Sequence, residues 1–126
     1  MIIGIGTDIV ELDRLKAAVA RNGEAFLQRV YTAAELAEAK DRLEYLGGRW
    51  AAKEAAAKAL GCGIGGGCSF TDIEVADNAA GAPTITCRAP AAVRLAERCG
   101  NLRWHVSISH ERAYAVATVI IENCER

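Results

Sequence analysis

The sequence predicts a single α+β domain in which antiparallel strands from two related halves pack on a long helical segment. Short apolar, β-branched runs stand at residues 1–5 and 113–121 and are typical of buried strands. An alanine-rich segment with helical spacing lies between them, over residues 32–60. The order strand, helix, strand, strand occurs in both halves of the chain. Because 126 residues suffice for one hydrophobic core, residues 1–126 are expected to form one domain.

The composition excludes several classes of protein. Lysine and arginine total 15 against 16 acidic residues, and a net charge of −1 gives no general case for binding nucleic acid. No run approaches the roughly 20 apolar residues of a membrane span, and the first residues lack the basic start of a signal peptide. The 5 cysteines include no CxxC pair, so they are expected to be reduced thiols. We therefore expect a cytoplasmic protein that binds neither a membrane nor nucleic acid.

The first predicted strand, residues 1–5, leads into a turn-like segment at residues 4–8. The GxG pattern there invites a dinucleotide-binding interpretation, but Ile9 stands where that fingerprint requires its third glycine. Asp8 has two interpretations from local sequence. It either caps or begins a helix, or it is a metal ligand whose cation would hold a phosphate.

Residues 12–22 and 24–30 predict two helical pieces with a glycine between them. Arg14 and Arg21 are two helical turns apart and share the outer face of the first piece, and Arg29 lies on the second. These arginines form either a solvated face or a docking surface for an acidic partner.

Thr32 and Glu35 form a capping box that begins a helix through about residue 45. Gly47 and Gly48 are expected to weaken or kink the path before a central helix continues. Alanines occupy many positions of this central helix, and they favour both helix formation and close packing against neighbours.

The central helix carries the strongest candidates for chemistry. Trp50, Glu54 and Lys58 are spaced four residues apart and therefore lie along one face, with Arg49 beside them. A carboxylate and an ammonium one turn apart form either an ordinary surface ion pair or part of a site for a metal-bound phosphate. Gly61 is placed to end the helix in a left-handed conformation.

Five of the seven residues at 61–67 are glycine, which predicts a mobile loop. Because this loop follows a helix, it cannot present a helix N-terminus as a P-loop does. Its backbone N–H groups form either a cradle for phosphate or a simple connector. The remaining predicted elements are a hairpin of strands 70–77 and 83–88, a helix at 90–99, strands at 104–109 and 113–121, and a polar tail at 122–126.

Two histidines near the C-terminus are further candidates. His105 lies in an alternating strand and His110 in the turn that follows it, although a structural role is the commoner one for a single histidine. Ser107 and Ser109 suggest a hydrolase dyad, but no GxSxG nucleophile elbow is present, so we discount nucleophilic catalysis.

Four segments together resemble the holo-acyl-carrier-protein synthases, the small single-domain branch of the 4′-phosphopantetheinyl transferases. They are GIGTDIVEL near the start, YTAAEL, GRWAAKEAAAKALGCGIG and HVSISHERAYAVATVI. The resemblance runs from Met1 to about Ile121, with the motifs in family order and spacing. It implies the phosphopantetheinyl transferase fold and transfer of the phosphopantetheine arm of coenzyme A to a serine of apo-acyl carrier protein in fatty acid biosynthesis. Adenosine 3′,5′-bisphosphate would be released.

The resemblance also implies roles for individual residues. Asp8 and Glu54 match the family's Mg²⁺ ligands, and Lys58 matches the lysine beside the coenzyme A phosphates and the reacting centre. The segments that line the coenzyme A site in relatives match Arg49, Gly65, Gly81, Pro83 and His110. The basic residues presented to the acidic carrier protein match Arg14, Arg21 and Arg29. The implied active form is a homotrimer with active sites at subunit interfaces.

The chemistry of these residues agrees with that activity. Mg²⁺ takes few carboxylates and keeps phosphate and water ligands, and Lys58 would add a second positive charge beside the pyrophosphate. Either Glu54 or a metal-bound water would remove the serine proton. Two other classes compete: a non-catalytic module that binds coenzyme A or a carrier protein, and a nucleotide-binding oxidoreductase. Two acids beside a pyrophosphate argue against the first, and the missing third glycine argues against the second.

Overall fold

The structure is a computed structural model, and it describes residues 1–124. Over that range the chain forms five strands and four helices, with a short 3₁₀ turn at Phe70–Asp72. In chain order the elements are β1 (Ile2–Glu11), α1 (Leu12–Val30), α2 (Ala33–Ala39), α3 (Leu43–Leu60), β2 (Ile73–Asp77), β3 (Pro83–Cys87), α4 (Pro90–Cys99), β4 (Leu102–His110) and β5 (Tyr114–Asn123).

The strands form two antiparallel sheets around α3. One sheet has the order β1-β5-β4, and β2 pairs with β3 in the other. Helix α3 packs on β1, β5, β4 and β2, which confirms the predicted α+β fold with antiparallel strands on the 32–60 helical segment. The two halves of the chain do not form separate sheets. Strand β1 belongs to the first half but pairs with β5 of the second half, so one sheet has three strands and the other has two. The alanines of α3 make this close packing possible, and those that are fully buried are Ala51, Ala52, Ala55, Ala56 and Ala57.

Strand β1 extends to Glu11, well beyond the predicted end at residue 5. It continues because β5 pairs with it along nearly its whole length. Asp8 therefore lies inside a strand, opposite Ala117 of β5. The interpretation of Asp8 as a helix cap is wrong.

Gly4 and Gly6 allow β1 to lie directly on α3. A side chain at Gly6 would collide with the backbone of Ala55 and would stand 2.8 Å from the backbone nitrogen of Ala59. The two glycines of the GxG pattern therefore allow the strand to pack closely against the helix. It does not form the strand-to-helix turn that dinucleotide binding requires, so the oxidoreductase interpretation is wrong.

Two local signals in the helical region are confirmed. Helix α1 changes direction at Gly23, which has a φ of 55°. The capping box is present: Thr32 Oγ1 accepts a hydrogen bond from the Glu35 N–H at 3.2 Å, and Glu35 Oε1 accepts one from the Thr32 N–H at 2.9 Å.

The break between α2 and α3 lies earlier than predicted. Lys40 and Asp41 adopt positive φ values of 49° and 63°, so the single helix expected from residue 32 to about 45 is wrong. Gly47 and Gly48 do not kink the chain. Both are buried inside α3, where a side chain at Gly48 would press on a methyl group of Ile108.

The predicted hairpin is present as β2 and β3, although its first strand begins only at Ile73. The preceding residues form the 3₁₀ turn because the Asp72 carboxylate accepts a hydrogen bond from the Ser69 N–H at 2.9 Å. Strand β4 shows the expected alternation, with Val106 and Ile108 packed against the core.

The polar tail expected at 122–126 begins later than predicted. Glu122 and Asn123 extend β5, and residues 125–126 lie outside the described part of the chain. Within residues 1–124, no helix is long and apolar enough to cross a membrane. The 5 cysteines are free thiols, as predicted.

Candidate active site

Two carboxylates predicted from distant segments meet where β1 crosses α3. Strand alternation places Asp8 on the same side of β1 as the buried residues Gly6 and Val10, and therefore towards α3. Glu54 lies on the α3 face that meets β1. Together they line a cavity of about 150 Å³, and its lining is completed by Ile9, Val10, Glu11, Arg14 and Trp50.

Lys58 lies one turn beyond Glu54 and closes this group. Its Nζ donates hydrogen bonds to Asp8 Oδ1 at 3.0 Å and to the Thr7 carbonyl oxygen at 3.0 Å. The Lys58 side chain is half exposed, so this ion pair contributes little to stability. Its importance is positional, because it holds an ammonium group beside two carboxylates.

The environment of Glu54 is unfavourable for its own charge. Burial raises the pKa of Glu54 above the ordinary value, the nearby Asp8 carboxylate raises it further, and Lys58 lowers it. A divalent cation between the two carboxylates would relieve this repulsion. Within residues 1–124 no group of three or more His, Cys, Asp or Glu side chains is arranged to hold a metal ion. A pair of carboxylates nevertheless fits Mg²⁺, which commonly takes one or two protein oxygens and completes its shell with water and phosphate.

Besides Ile9 and Val10, three residues of this cavity were not predicted as part of a metal or catalytic site. Glu11 and Trp50 line it, and so does Arg14, which the sequence indicated only as a docking residue. Period-2 spacing along a longer first strand would have placed Asp8 and Val10 on one face. Local sequence did not reveal that the strand continues to Glu11.

The other two predicted docking arginines lie on different parts of α1. Arg21 is exposed and precedes the change of direction at Gly23. Arg29 follows it, stacks 5.8 Å from the ring centroid of Phe26, and lines a cavity of about 370 Å³ together with Gly65. The structure thus brings Arg29 to the glycine loop, away from the carboxylates.

Arg49 and the hairpin turn form a separate group. Arg49 Nη2 lies 2.7 Å from Asp77 Oδ1, and Asp77 pairs with Pro83 across the β2–β3 ladder. Gly81, which has a φ of 87°, lies in the turn between these strands. On an α-helix Arg49 and Glu54 point about 140° apart, so the hairpin group lies on another side of α3 than the carboxylates.

His110 stands at the end of β4. It lines a cavity of about 370 Å³ with Ile9, Ser109, Glu111, Tyr114 and Val116. Ile9 borders both this cavity and the carboxylate cavity. Within one chain the structure therefore brings together Asp8, Glu54 and Lys58, with Arg14 at their edge. It does not bring Arg49, Gly65, Gly81, Pro83 or His110 to them.

Known proteins share this sequence and fold over almost their whole length. A sequence model of the 4′-phosphopantetheinyl transferase superfamily matches residues 4–119. The chain is 51% identical over 126 residues to the holo-[acyl-carrier-protein] synthase of Shewanella sp. (strain W3-18-1), covering 98% of each chain. The crystal structure of the holo-[acyl-carrier-protein] synthase from Neisseria meningitidis is similar with a TM-score of 0.86 at 40% identity, covering 98% of this chain and 100% of that one. The Helicobacter pylori synthase in complex with coenzyme A has a TM-score of 0.84 at 34% identity, covering 94% and 99%.

Proposed function

The chain belongs to the holo-[acyl-carrier-protein] synthase family of the 4′-phosphopantetheinyl transferase superfamily, and on that premise we propose that it transfers the 4′-phosphopantetheine arm of coenzyme A to a serine of apo-acyl carrier protein. Family membership makes the chain an enzyme, so the non-catalytic binding module is not retained as an alternative. The observation that carries the proposal is the meeting of Asp8 and Glu54, from distant segments, at one cavity, with Lys58 bound to Asp8 beside it. We propose fatty acid biosynthesis as the pathway and the cytoplasm as the location, where free thiols persist.

The reaction forms a bond between the serine oxygen and the phosphorus that carries the pantetheine arm. The bond from that phosphorus to the bridging oxygen of the pyrophosphate breaks, and adenosine 3′,5′-bisphosphate leaves with the bond's electron pair. Asp8 and Glu54 would hold Mg²⁺, which supplies charge neutralisation for the pyrophosphate when it is bound. Lys58 places a further positive charge at the same point. Glu54, or a water molecule beside it, would accept the serine proton.

We propose that two copies of the chain complete each site, in a homotrimer. The carboxylate cavity of about 150 Å³ is smaller than the cavities that enclose ligands of this size. The outer face of the β1-β5-β4 sheet, defined by Ile5, Ile9, Tyr114 and Val116, exposes apolar side chains; Ile5 is 66% exposed and Ile9 63%. A neighbouring copy on this face would cover them. It would also add its own residues beside Ile9, which borders both the carboxylate and the His110 cavities.

We propose that the carrier protein docks along α1. Arg14 and Arg21 are exposed there, and Arg14 also lines the carboxylate cavity. An acidic partner that engages these arginines would therefore bring its serine close to Asp8 and Glu54. Arg29 lies near the glycine loop and would contact the same partner only at its far end.

The test is intact-mass spectrometry of apo-acyl carrier protein incubated with the protein, coenzyme A and Mg²⁺. We expect the carrier to gain one phosphopantetheine, and the gain to disappear with EDTA. Asp8→Ala and Glu54→Ala should each slow the transfer on the order of a hundredfold or more, because each removes a group that holds the charge-neutralising ion. Glu44→Ala, which removes an exposed carboxylate from the first turn of the same helix, is the matched control and should leave the rate unchanged. A carrier whose mass stays constant although coenzyme A binds would contradict the proposal.

A further inference from the structure

Arg49 is enclosed within the protein, although its predicted role is to line the coenzyme A site. Its side chain is 8% exposed, and its guanidinium stacks 3.9 Å from the ring centroid of Tyr45. Nη2 donates a hydrogen bond of 2.7 Å to Asp77 Oδ1. The aromatic face and the carboxylate together fix the guanidinium in one orientation. In this arrangement Arg49 offers little surface to a ligand.

Asp77 is the last residue of β2, at the base of the turn that joins β2 to β3. It pairs with Pro83 in the last rung of the ladder. The turn then closes on Asn78, whose N–H donates to the Ala82 carbonyl oxygen at 2.8 Å and whose Oδ1 accepts from the Ala80 and Ala82 N–H groups at 2.9 and 3.0 Å. The turn is therefore rigid within itself. The position of the turn relative to α3 depends on the contacts that Asp77 makes at its base.

We propose that Arg49 and Asp77 form a clamp that positions the β2–β3 turn against α3 for the binding of coenzyme A. Arg49 is then a positioning residue that acts through Asp77 and does not contact coenzyme A. This inference rests on the proposed function, because the turn has a ligand only if coenzyme A binds. The clamp fixes the Gly81–Pro83 segment in advance, and preorganised contacts bind more tightly than contacts that must be ordered on binding.

The direction of one mutational effect separates the clamp from direct contact. If Arg49 contacted a phosphate of coenzyme A, Asp77 would compete for the same guanidinium, and Asp77→Ala would tighten coenzyme A binding. If Arg49 acts through the clamp, Asp77→Ala weakens binding. The two mechanisms therefore predict opposite signs for the same substitution.

The experiment measures the Kd of coenzyme A by isothermal titration calorimetry, with the KM for coenzyme A and kcat from the transfer assay. Asp77→Ala and Arg49→Gln should each weaken binding about tenfold, and the double variant should be no weaker than either, because both remove the same contact. The KM for coenzyme A should rise while kcat and the KM for the carrier protein stay constant, since the carboxylate cavity lies on another side of α3. Asp77→Glu keeps the charge and should restore most of the affinity.

Glu38→Ala is the matched control. Glu38 is an exposed carboxylate that lines the same cavity of about 200 Å³ as Asp77 but pairs with no cation in the described residues. Its loss should leave the Kd unchanged. Tighter or unchanged binding in Asp77→Ala would overturn the clamp. Absence of coenzyme A binding by the unsubstituted protein would instead overturn the proposed function, so the two failures are distinguishable.

Discussion

The proposed chemistry depends on a carboxyl group whose surroundings disfavour its charged form. Glu54 is half-buried beside Asp8, and both effects favour its protonated form, whereas Lys58 opposes them. Since the folded chain then holds the proton more tightly than the unfolded chain, this carboxyl contributes stability at low pH. That contribution is lost as the pH rises through the raised pKa. Above that pKa the charged Glu54 and Asp8 repel each other, and a bound cation would relieve the repulsion.

The pKa of Glu54 is open to direct measurement. In metal-free protein, the side-chain carboxyl ¹³C signal of Glu54 should titrate above the ordinary glutamate value. Asp8→Asn should lower this pKa because it removes the neighbouring negative charge, and Lys58→Met should raise it because it removes the neighbouring positive charge. An unchanged pKa in Asp8→Asn would show that the two carboxylates do not interact.

At the scale of the elements, the position of Asp8 depends on how closely β1 approaches α3. Gly6→Ala would place a methyl group against backbone atoms of Ala55 and Ala59, which cannot rotate away as a side chain can. We expect a loss of about 3 kcal/mol or more in the free energy of unfolding, at the upper end for overpacked cores. Denaturant unfolding measures it.

Gly48→Ala is the matched control for this prediction. It also adds a methyl group to a buried glycine, but the neighbour is the end of the Ile108 side chain, which can move. The better helix propensity of alanine, about 1 kcal/mol, offsets part of the cost. A loss at Gly6→Ala no larger than that at Gly48→Ala would contradict the close approach of β1 and α3.

The elements also show which features the sequence could predict. The capping box, the change of direction at Gly23 and the β2–β3 hairpin each depend on residues adjacent in the chain, and each was predicted. The length of β1 depends on pairing with β5, more than a hundred residues away in the sequence. Local patterns carry no information about such a partner, so the sequence alone allows Asp8 to be either a helix cap or a metal ligand.

The same limit applies to the buried charges. Glu35 was predicted only as a capping residue, yet its carboxylate also forms an ion pair of 2.7 Å with Lys53 and accepts a hydrogen bond from the Val75 N–H at 2.7 Å. Lys53 in turn donates to the carbonyl oxygens of Phe70 and Ile73. Burial lowers the pKa of Lys53, and Glu35 opposes that effect. Only the folded chain shows that Lys53, the neighbour of Glu54 in the sequence, faces the hairpin side of α3.

At the scale of the whole molecule, one chain does not assemble all the residues that the family resemblance implies for the site. The hairpin turn with Arg49 is separate from the carboxylate cavity, and His110 lines a neighbouring cavity that shares only Ile9 with it. The family resemblance implies that a second subunit brings these regions together in one site. The exposed apolar outer face of the β1-β5-β4 sheet is the surface on which a second subunit would pack, because apolar patches of this kind mark interfaces.

If the proposed trimer forms through this outer face, a substitution there should dissociate it. Ile5→Lys places a charge within the proposed contact, from which water would be excluded. Ile5 lies on the opposite side of β1 from Asp8, so the substitution does not alter the carboxylates directly. We expect monomers in sedimentation velocity. Transfer activity should fall with dissociation and should recover as protein concentration rises, since assembly follows mass action. Val93→Lys is the matched control, because Val93 is 53% exposed on α4, away from this face, and its substitution should leave both assembly and activity intact. Full activity of a monomeric Ile5→Lys variant would show that a single chain completes the site, and the residues now divided between three regions would then have to converge by movement within one subunit.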